Sequence, residues 1–361
     1  MARLGRRQQQ LFQRQSYRFN IRRLFPSSSK KSFRLILTIL AFIAFLPPIF
    51  FHFRLRRFHQ MQLKKCGWLN ESPLVCAHGG DSTNAFPNTM AAYRFALRAQ
   101  VDCIEIDVSR SLDGVLFALH DRYIWGFLSL YCLNSVFAAN QERFAVYSRD
   151  LQRITGNSTS KVGHLSMKEI KELGATYQSV QKSHDQVIPT VEDALTLISK
   201  SVRRVILDAK VGPPSYEKGL AQDILSVVSL GEWVERTKCK NCVVWAKSDN
   251  LVRDIIKLSP NATVGYIVMF DQSTGFRTNL LRMKKARVVG VYHPLIDEKL
   301  VSILHGRNKK LYAWTVDDVD SMQKMLRERV DGVVTSNPTL LQGLMQDIRT
   351  QCLEEGFSLT R

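Results

Sequence analysis

Two carboxylates two residues apart, Glu105 and Asp107, lie in the run Ile104-Glu-Ile-Asp-Val108. On a strand, alternate side chains share a face, so both acids point the same way. Side by side they repel unless a positive charge sits between them. A hard divalent cation, Mg²⁺ or Ca²⁺, suits an all-oxygen pair of this kind. Asp113-Gly114 follows, a hairpin signal too short for a helical crossover. Folding back there with facing residues summing to about 227 sets His120 opposite Asp107. His78 closes a short apolar run, 74–77, and precedes Gly79-Gly80. Two imidazoles near a carboxylate-held ion make an acid/base pair at neutral pH. The competing reading is that these residues share only a polar surface.

The elements that must position them alternate along the chain. Strand-like runs occupy 74–78, 103–108, 115–120, 203–210, 243–248, 262–268, 287–293, 310–316 and 331–336. Amphipathic stretches at 89–99, 190–199, 216–229, 248–258 and 321–329 read as helices. Alternation of buried strands with helices predicts a parallel sheet. Eight such units in roughly 250 residues predict an α/β fold of the TIM (β/α)8 barrel type. The ninth run, 115–120, is the one that returns through the Asp-Gly turn.

The same residues resemble the opening of a glycerophosphodiester phosphodiesterase domain. The matches are His78, Asn88-Thr89, Glu105-x-Asp107, Asp113-Gly114 and His120-Asp121. Later stretches extend the likeness: Asp208-Ala-Lys210, Trp314-Thr-Val-Asp317, and Asp331-Gly-Val-Val-Thr335-Ser-Asn-Pro338. It spans about residues 74 to 345 in the family's order. The resemblance implies a TIM barrel that cleaves a glycerophosphodiester to an alcohol and glycerol 3-phosphate. It also implies catalytic roles for His78 and His120, and Glu105, Asp107 and Asp208 as ligands of a divalent cation, Mg or Ca. Lys210 then meets a phosphate oxygen and Trp314 packs on the glycerol part. The bland alternatives are an Asp208–Lys210 ion pair and a Trp314 that is core with one wet edge. His293 reads as structural; His164, His184 and His305 read as surface.

Two positions depart from the family pattern: Gly79 stands in place of Arg and Pro87 in place of Glu. Losing one charge-assisted hydrogen bond to phosphate costs about 1.5–3 kcal/mol, one to two decades of rate. An active but slower or differently specific enzyme is expected. Two rivals are a non-catalytic barrel that binds phosphodiester head groups, and a related phospholipase acting on intact lipid.

The chain has 361 residues and a net charge of +19. Residues 1–65 carry 15 Lys or Arg and no acid, so the rest is nearly neutral. That distribution argues against a nucleic-acid partner for the folded part. Leu35 to Phe53 is 19 apolar residues, enough to span a bilayer core, with Pro47-Pro48 expected to kink or end the helix. The expected organisation is a basic tail (1–34), a transmembrane segment (35–53), a linker (54–72), the barrel (73–345) and a tail (346–361). The basic tail favours a cytoplasmic N-terminus and a lumenal or extracellular barrel, with an organelle transit peptide as the rival. Sequons at Asn70, Asn157 and Asn261 fit a glycoprotein. Cys239-Lys-Asn-Cys242 reads as a local disulfide, and Cys76 and Cys103 as core. Residues 123–149 interrupt the pattern between His120-Asp121 and Leu151-Gln-Arg-Ile-Thr-Gly156, and read as an insertion or translated intron; sequencing the transcript decides between them.

Overall fold

A computed structural model describes residues 30–120, 161–173, 188–229, 239–271 and 273–358. The segment 123–149, with Asn157 and His184, lies outside the described residues. The chain divides into two units, residues 1–61 and 62–361.

The first unit is most of α1, Lys30–Cys66, a 37-residue helix. It is long and apolar enough to cross a membrane. Pro47 and Pro48 lie inside it and do not end it, contrary to the expected break. The helix also runs through much of the stretch expected to be a linker.

In the second unit the expected strands form. They are β1 (Leu74–Ala77), β2 (Cys103–Arg110), β3 (Leu116–Ala118), β4 (Arg204–Ala209), β5 (Cys242–Ala246), β6 (Val264–Val268), β7 (Val288–Tyr292), β8 (Lys310–Trp314) and β9 (Gly332–Thr335). Their order is β1-β9-β8-β7-β6-β5-β4-β2, and β1 pairs with β2 to close the ring. All eight ring strands are parallel, so the molecule is a TIM barrel. β3 is extra and runs antiparallel on the end of β2.

Capping residues start the outer helices. Thr89 Oγ1 accepts from Ala92 N–H to open α2 (Met90–Arg98). Thr190 and Asp193 form a capping box for α3 (Val191–Ile198). The outer ring continues with α4 (Leu220–Ser229), α5 (Asp249–Leu258), α6 (Glu298–His305), α7 (Val319–Glu328) and α8 (Pro338–Glu354). Ser248, Asp297, Asp318 and Asn337 cap α5 to α8 in the same way.

The main core lies between strands and helices. A second cluster fills the bore: Cys76, Cys103, Ile206, Val243, Trp245, Ile267, Val288, Tyr312 and Val334. Trp245 plugs the middle. A Cβ on Gly290 would stand 2.8 Å from its ring, and one on Gly265 3.0 Å from its Cβ. The two glycines make room for the indole.

Two disulfides form in the second unit. Cys239–Cys242 is the local one that the sequence suggests. Cys66–Cys352 joins the end of α1 to α8. The sequence had given no partner to either cysteine. Cys76 and Cys103 are buried free thiols on paired strands.

The hairpin register needs correction. Val108 faces Ala118 and Ser109 faces Phe117, so facing residues sum to 226. Leu119, not His120, pairs with Asp107 and donates its N–H to the Asp107 carbonyl at 3.0 Å. The cause is a three-residue loop. Ser111 N–H bonds Val115 O, and Gly114 takes φ +86°, the left-handed residue such a loop requires.

Candidate active site

Glu105 and Asp107 share the inner face of β2 around its middle, and both are buried. His78 leaves the end of β1, held by its N–H to Thr335 O at 2.9 Å. One donor atom from each of His78, Glu105 and Asp107 lies within 4.8 Å of the others. Asp208 is the register partner of Asp107 on β4. It stands outside that group and is hydrogen-bonded to Lys210. The Lys210 ammonium sits between the two acids, 2.5 Å from Asp107 Oδ1. The Asp208–Lys210 ion pair is therefore present.

Each acid is also held from behind. Gly79 N–H donates to Glu105 Oε2 at 3.0 Å. Asn88 Nδ2 donates to Asp107 Oδ2 at 2.8 Å, and its Oδ1 accepts from Asp107 N–H at 3.1 Å. Asn88 reaches this pose with φ +60°, its own N–H bonded to Gly79 O at 2.7 Å. Sequence reasoning noted Asn88 in the motif but gave it no task. Asn tolerates left-handed backbone, and that was the available signal.

Burial, strengthened by the neighbouring Asp107 charge, pushes Glu105 well above the usual carboxylate range. Asp107 goes the other way. Burial opposes its ionisation, but Lys210, His120 and His78 outweigh it and hold it far below its ordinary value. His120, one residue past the pairing with β2, is thus close enough to bear on Asp107 although their strand positions are not opposite. Enclosure lowers the His78 pKa, against the pull of Asp107. Asp317 also acts on His78. It is fixed by Ser336 N–H at 2.7 Å and Thr335 Oγ1 at 3.1 Å.

The far side of the rim is aromatic. Trp314 ends β8 with its ring 5.6 Å from Tyr292, and Lys247 Nζ lies 5.7 Å from the indole. The buried Trp314 Nε1 has no hydrogen-bond partner among the described residues. Tyr292 also contacts Phe270 and His293. Neither Tyr292 nor Lys247 was singled out by the sequence.

Gly79 and Pro87, the two departures, touch. A Cβ on Gly79 would fall 2.8 Å from Pro87 Cβ, and Gly79 sits at φ +63°. They form one local arrangement rather than two independent losses.

Residues 78–340 match the Glycerophosphoryl diester phosphodiesterase family. The glycerophosphodiester phosphodiesterase GDPD4 of Arabidopsis thaliana is 58% identical over 339 residues, covering 94% of this chain and 93% of that protein. A glycerophosphodiester phosphodiesterase of Caldanaerobacter subterraneus is 27% identical over 273 residues, covering 76% of this chain and 98% of its own. Among solved structures, an Oleispira antarctica phosphodiesterase in complex with the product sn-glycerol-3-phosphate superposes with TM-score 0.58 at 21% identity, covering 76% of this chain and 97% of that one.

Proposed function

The chain belongs to the glycerophosphoryl diester phosphodiesterase family, and we propose that it is a divalent-cation-dependent enzyme hydrolysing glycerophosphodiesters to an alcohol and glycerol 3-phosphate at the His78–Glu105–Asp107 rim. The observation that carries the reading is convergence. An imidazole and two buried acids from adjacent strands meet within 4.8 Å, with Asp208, Lys210 and His120 beside them.

The donor set fits a hard cation. Two carboxylates are buried at close range, and together they offer hard oxygen donors. Glu105 and Asp107 would hold Mg²⁺ or Ca²⁺, with Asp208 as the further acid that the family pattern suggests, which leaves the His78 imidazole for proton transfer. Such an ion, when bound, neutralises phosphate oxygens and polarises phosphorus.

The chain's own groups do the rest. One of His78 and His120 takes the proton of the attacking water as its oxygen bonds to phosphorus; where the substrate's neighbouring hydroxyl attacks instead, water opens the resulting cyclic phosphate in a second step. The other donates a proton to the departing alkoxide as the bond from phosphorus to that oxygen breaks. Enclosure keeps His78 neutral at physiological pH, which suits it to accept. Lys210 supplies positive charge where the phosphoryl oxygens gain negative charge. Trp314 offers an indole face to the glycerol carbons. Asn88 and the Gly79 amide hold the acids in their rotamers and are positioning groups. With Gly in place of Arg at 79, Lys210 is the side-chain cation that remains beside these acids, consistent with a slower enzyme.

We place the barrel on the lumenal or extracellular side of a membrane, tethered by α1. Two disulfides suit an oxidising compartment, and Asn70 and Asn261 are exposed sequons. The test is to give the purified protein glycerophosphocholine with Mg²⁺ or Ca²⁺ and assay glycerol 3-phosphate. Production abolished by EDTA supports the reading. No production with either ion, or unchanged production by His120→Ala, sinks it.

A further inference from the structure

The barrel has a second polar cavity at the opposite, N-terminal ends of its strands. Its volume is about 560 Å³, and it is bounded by the turn after α1 and by the starts of β1, β4 and β8. Cations dominate its walls. Arg203, Arg204, Lys310 and Arg329 face two acids, Glu71 and Asp331.

Three of those cations are engaged. Arg203 pairs with Asp102 at 3.1 Å. Lys310 Nζ meets Asp331 Oδ1 at 2.7 Å, while Asp331 Oδ2 is 2.8 Å from His305 Nε2 and accepts from Leu311 N–H. Arg329 donates to the Leu63 carbonyl at 2.9 Å. The guanidinium of Arg204, by contrast, has no hydrogen bond or ion pair among the described residues. Tyr312, on the wall beside it, is 4% exposed. Its hydroxyl also has no hydrogen-bond partner among the described residues, and the Arg204 charge bears on it. A half-buried guanidinium and a phenol hydroxyl on one cavity wall thus both present open donors to the cavity.

The surroundings are shaped to keep charge here. Arg329 closes α7 at φ +57°, a left-handed position that glycine usually takes. Any Cβ on Gly67 would collide with the Arg329 guanidinium. The bare backbone at 67 is what lets that side chain lie across the cavity.

We propose that this cavity binds a phosphate-bearing anion, with Arg204 and the Tyr312 hydroxyl donating to its oxygens. Lys310, Arg203 and Arg329 supply the surrounding positive field. A guanidinium fork matches a tetrahedral oxyanion in two-point contact. The same chemistry could come from a free polyphosphate or from an anionic lipid head group. The cavity borders the residues that directly follow α1, so both sources are tested. This site is separate from the acid-lined rim and does not depend on the reading given to that rim.

The experiment uses the full chain in detergent with EDTA, after enzymatic removal of N-glycans, because the sequon residue Asn70 stands at the cavity mouth. Inorganic pyrophosphate and dioctanoyl phosphatidic acid are titrated by calorimetry, with dioctanoyl phosphatidylcholine as control. Saturable binding of at least one anionic probe is expected, weakened by about tenfold or more in Arg204→Gln. Tyr312→Phe keeps the ring and removes only the hydroxyl, so a several-fold loss is expected there. Tighter lipid than pyrophosphate assigns a head group, and the reverse order assigns a soluble anion. Both variants are checked for an unchanged melting temperature; if both unfold, Lys310→Gln and Arg203→Gln carry the same comparison. The proposal is overturned if neither anion binds by millimolar concentration, or if the folded variants bind as tightly as the parent.

Discussion

The two ends of this barrel are built from the same eight strands, yet their charges are opposite in kind. At the C-terminal rim two acids, Asp107 and Asp208, pair with one ammonium, Lys210, and Glu105 lies near enough to feel its charge. At the other end, four cations face two acids. Parallel strands make this possible. Every strand start lies at one end and every strand finish at the other, so residues four or five apart on one strand serve different purposes. Arg204 and Asp208, both on β4, are the plainest case. Between the ends lies the Trp245 plug, in the space that Gly265 and Gly290 leave open. The bore is a packed core and not a conduit, so each end answers to its own chemistry.

The strongest attack on that division is at the acid end. Replacing His120 by Ala should lower kcat by about 10²–10⁴-fold, the usual worth of a positioned acid or base, with an unchanged melting temperature. A loss below threefold would take His120 out of the chemistry. Next is the plug. Gly290→Ala forces a methyl against the Trp245 ring and should cost about 1–3 kcal/mol of stability in a denaturant titration. A neutral result would show that the middle of the bore is looser than the glycine pair implies. Trp314→Ala should raise KM about tenfold with a smaller change in kcat, by removing binding common to substrate and transition state.

Cation affinity should depend on pH in one direction. Burial raises the Glu105 pKa, so a proton competes with the ion. As pH falls through that raised value the proton wins and affinity drops; as pH rises, Glu105 ionises and affinity climbs. Calorimetry in two buffers of different ionisation enthalpy should show proton release on Mg²⁺ binding in mildly acidic solution. Absence of release would mean that Glu105 is already ionised. Smallest of all, Arg204→Gln should leave glycerophosphocholine hydrolysis within about twofold, because additivity holds for distant sites. A large fall would show the two ends to be coupled.

Much of this was legible in the sequence, for reasons that can be named. Strand identity followed from apolar runs, and the shared face of Glu105 and Asp107 from the period of two. The hairpin register was off by one because Asp-Gly suggests a two-residue turn, whereas Ser111 hydrogen-bonds across a three-residue one. Asn88 escaped notice as a clamp because its partner lies 19 residues away and its backbone conformation is invisible in the letters. The Cys66–Cys352 bond is likewise non-local: no spacing rule links residues 286 apart. Gly79 and Pro87 read as two separate deficits, and only their contact shows that restoring Arg at 79 alone would drive a side chain into the proline.

The bond between Cys66 and Cys352 makes the second unit topologically a loop whose two chain ends are stapled together. A protease that cuts anywhere between those cysteines leaves both pieces covalently attached to α1. Such a nicked molecule would run as one band on a gel without reductant and as two with it. A single cut then sheds the barrel from its tether only if it falls before Cys66, or if that one sulfur–sulfur link is opened as well.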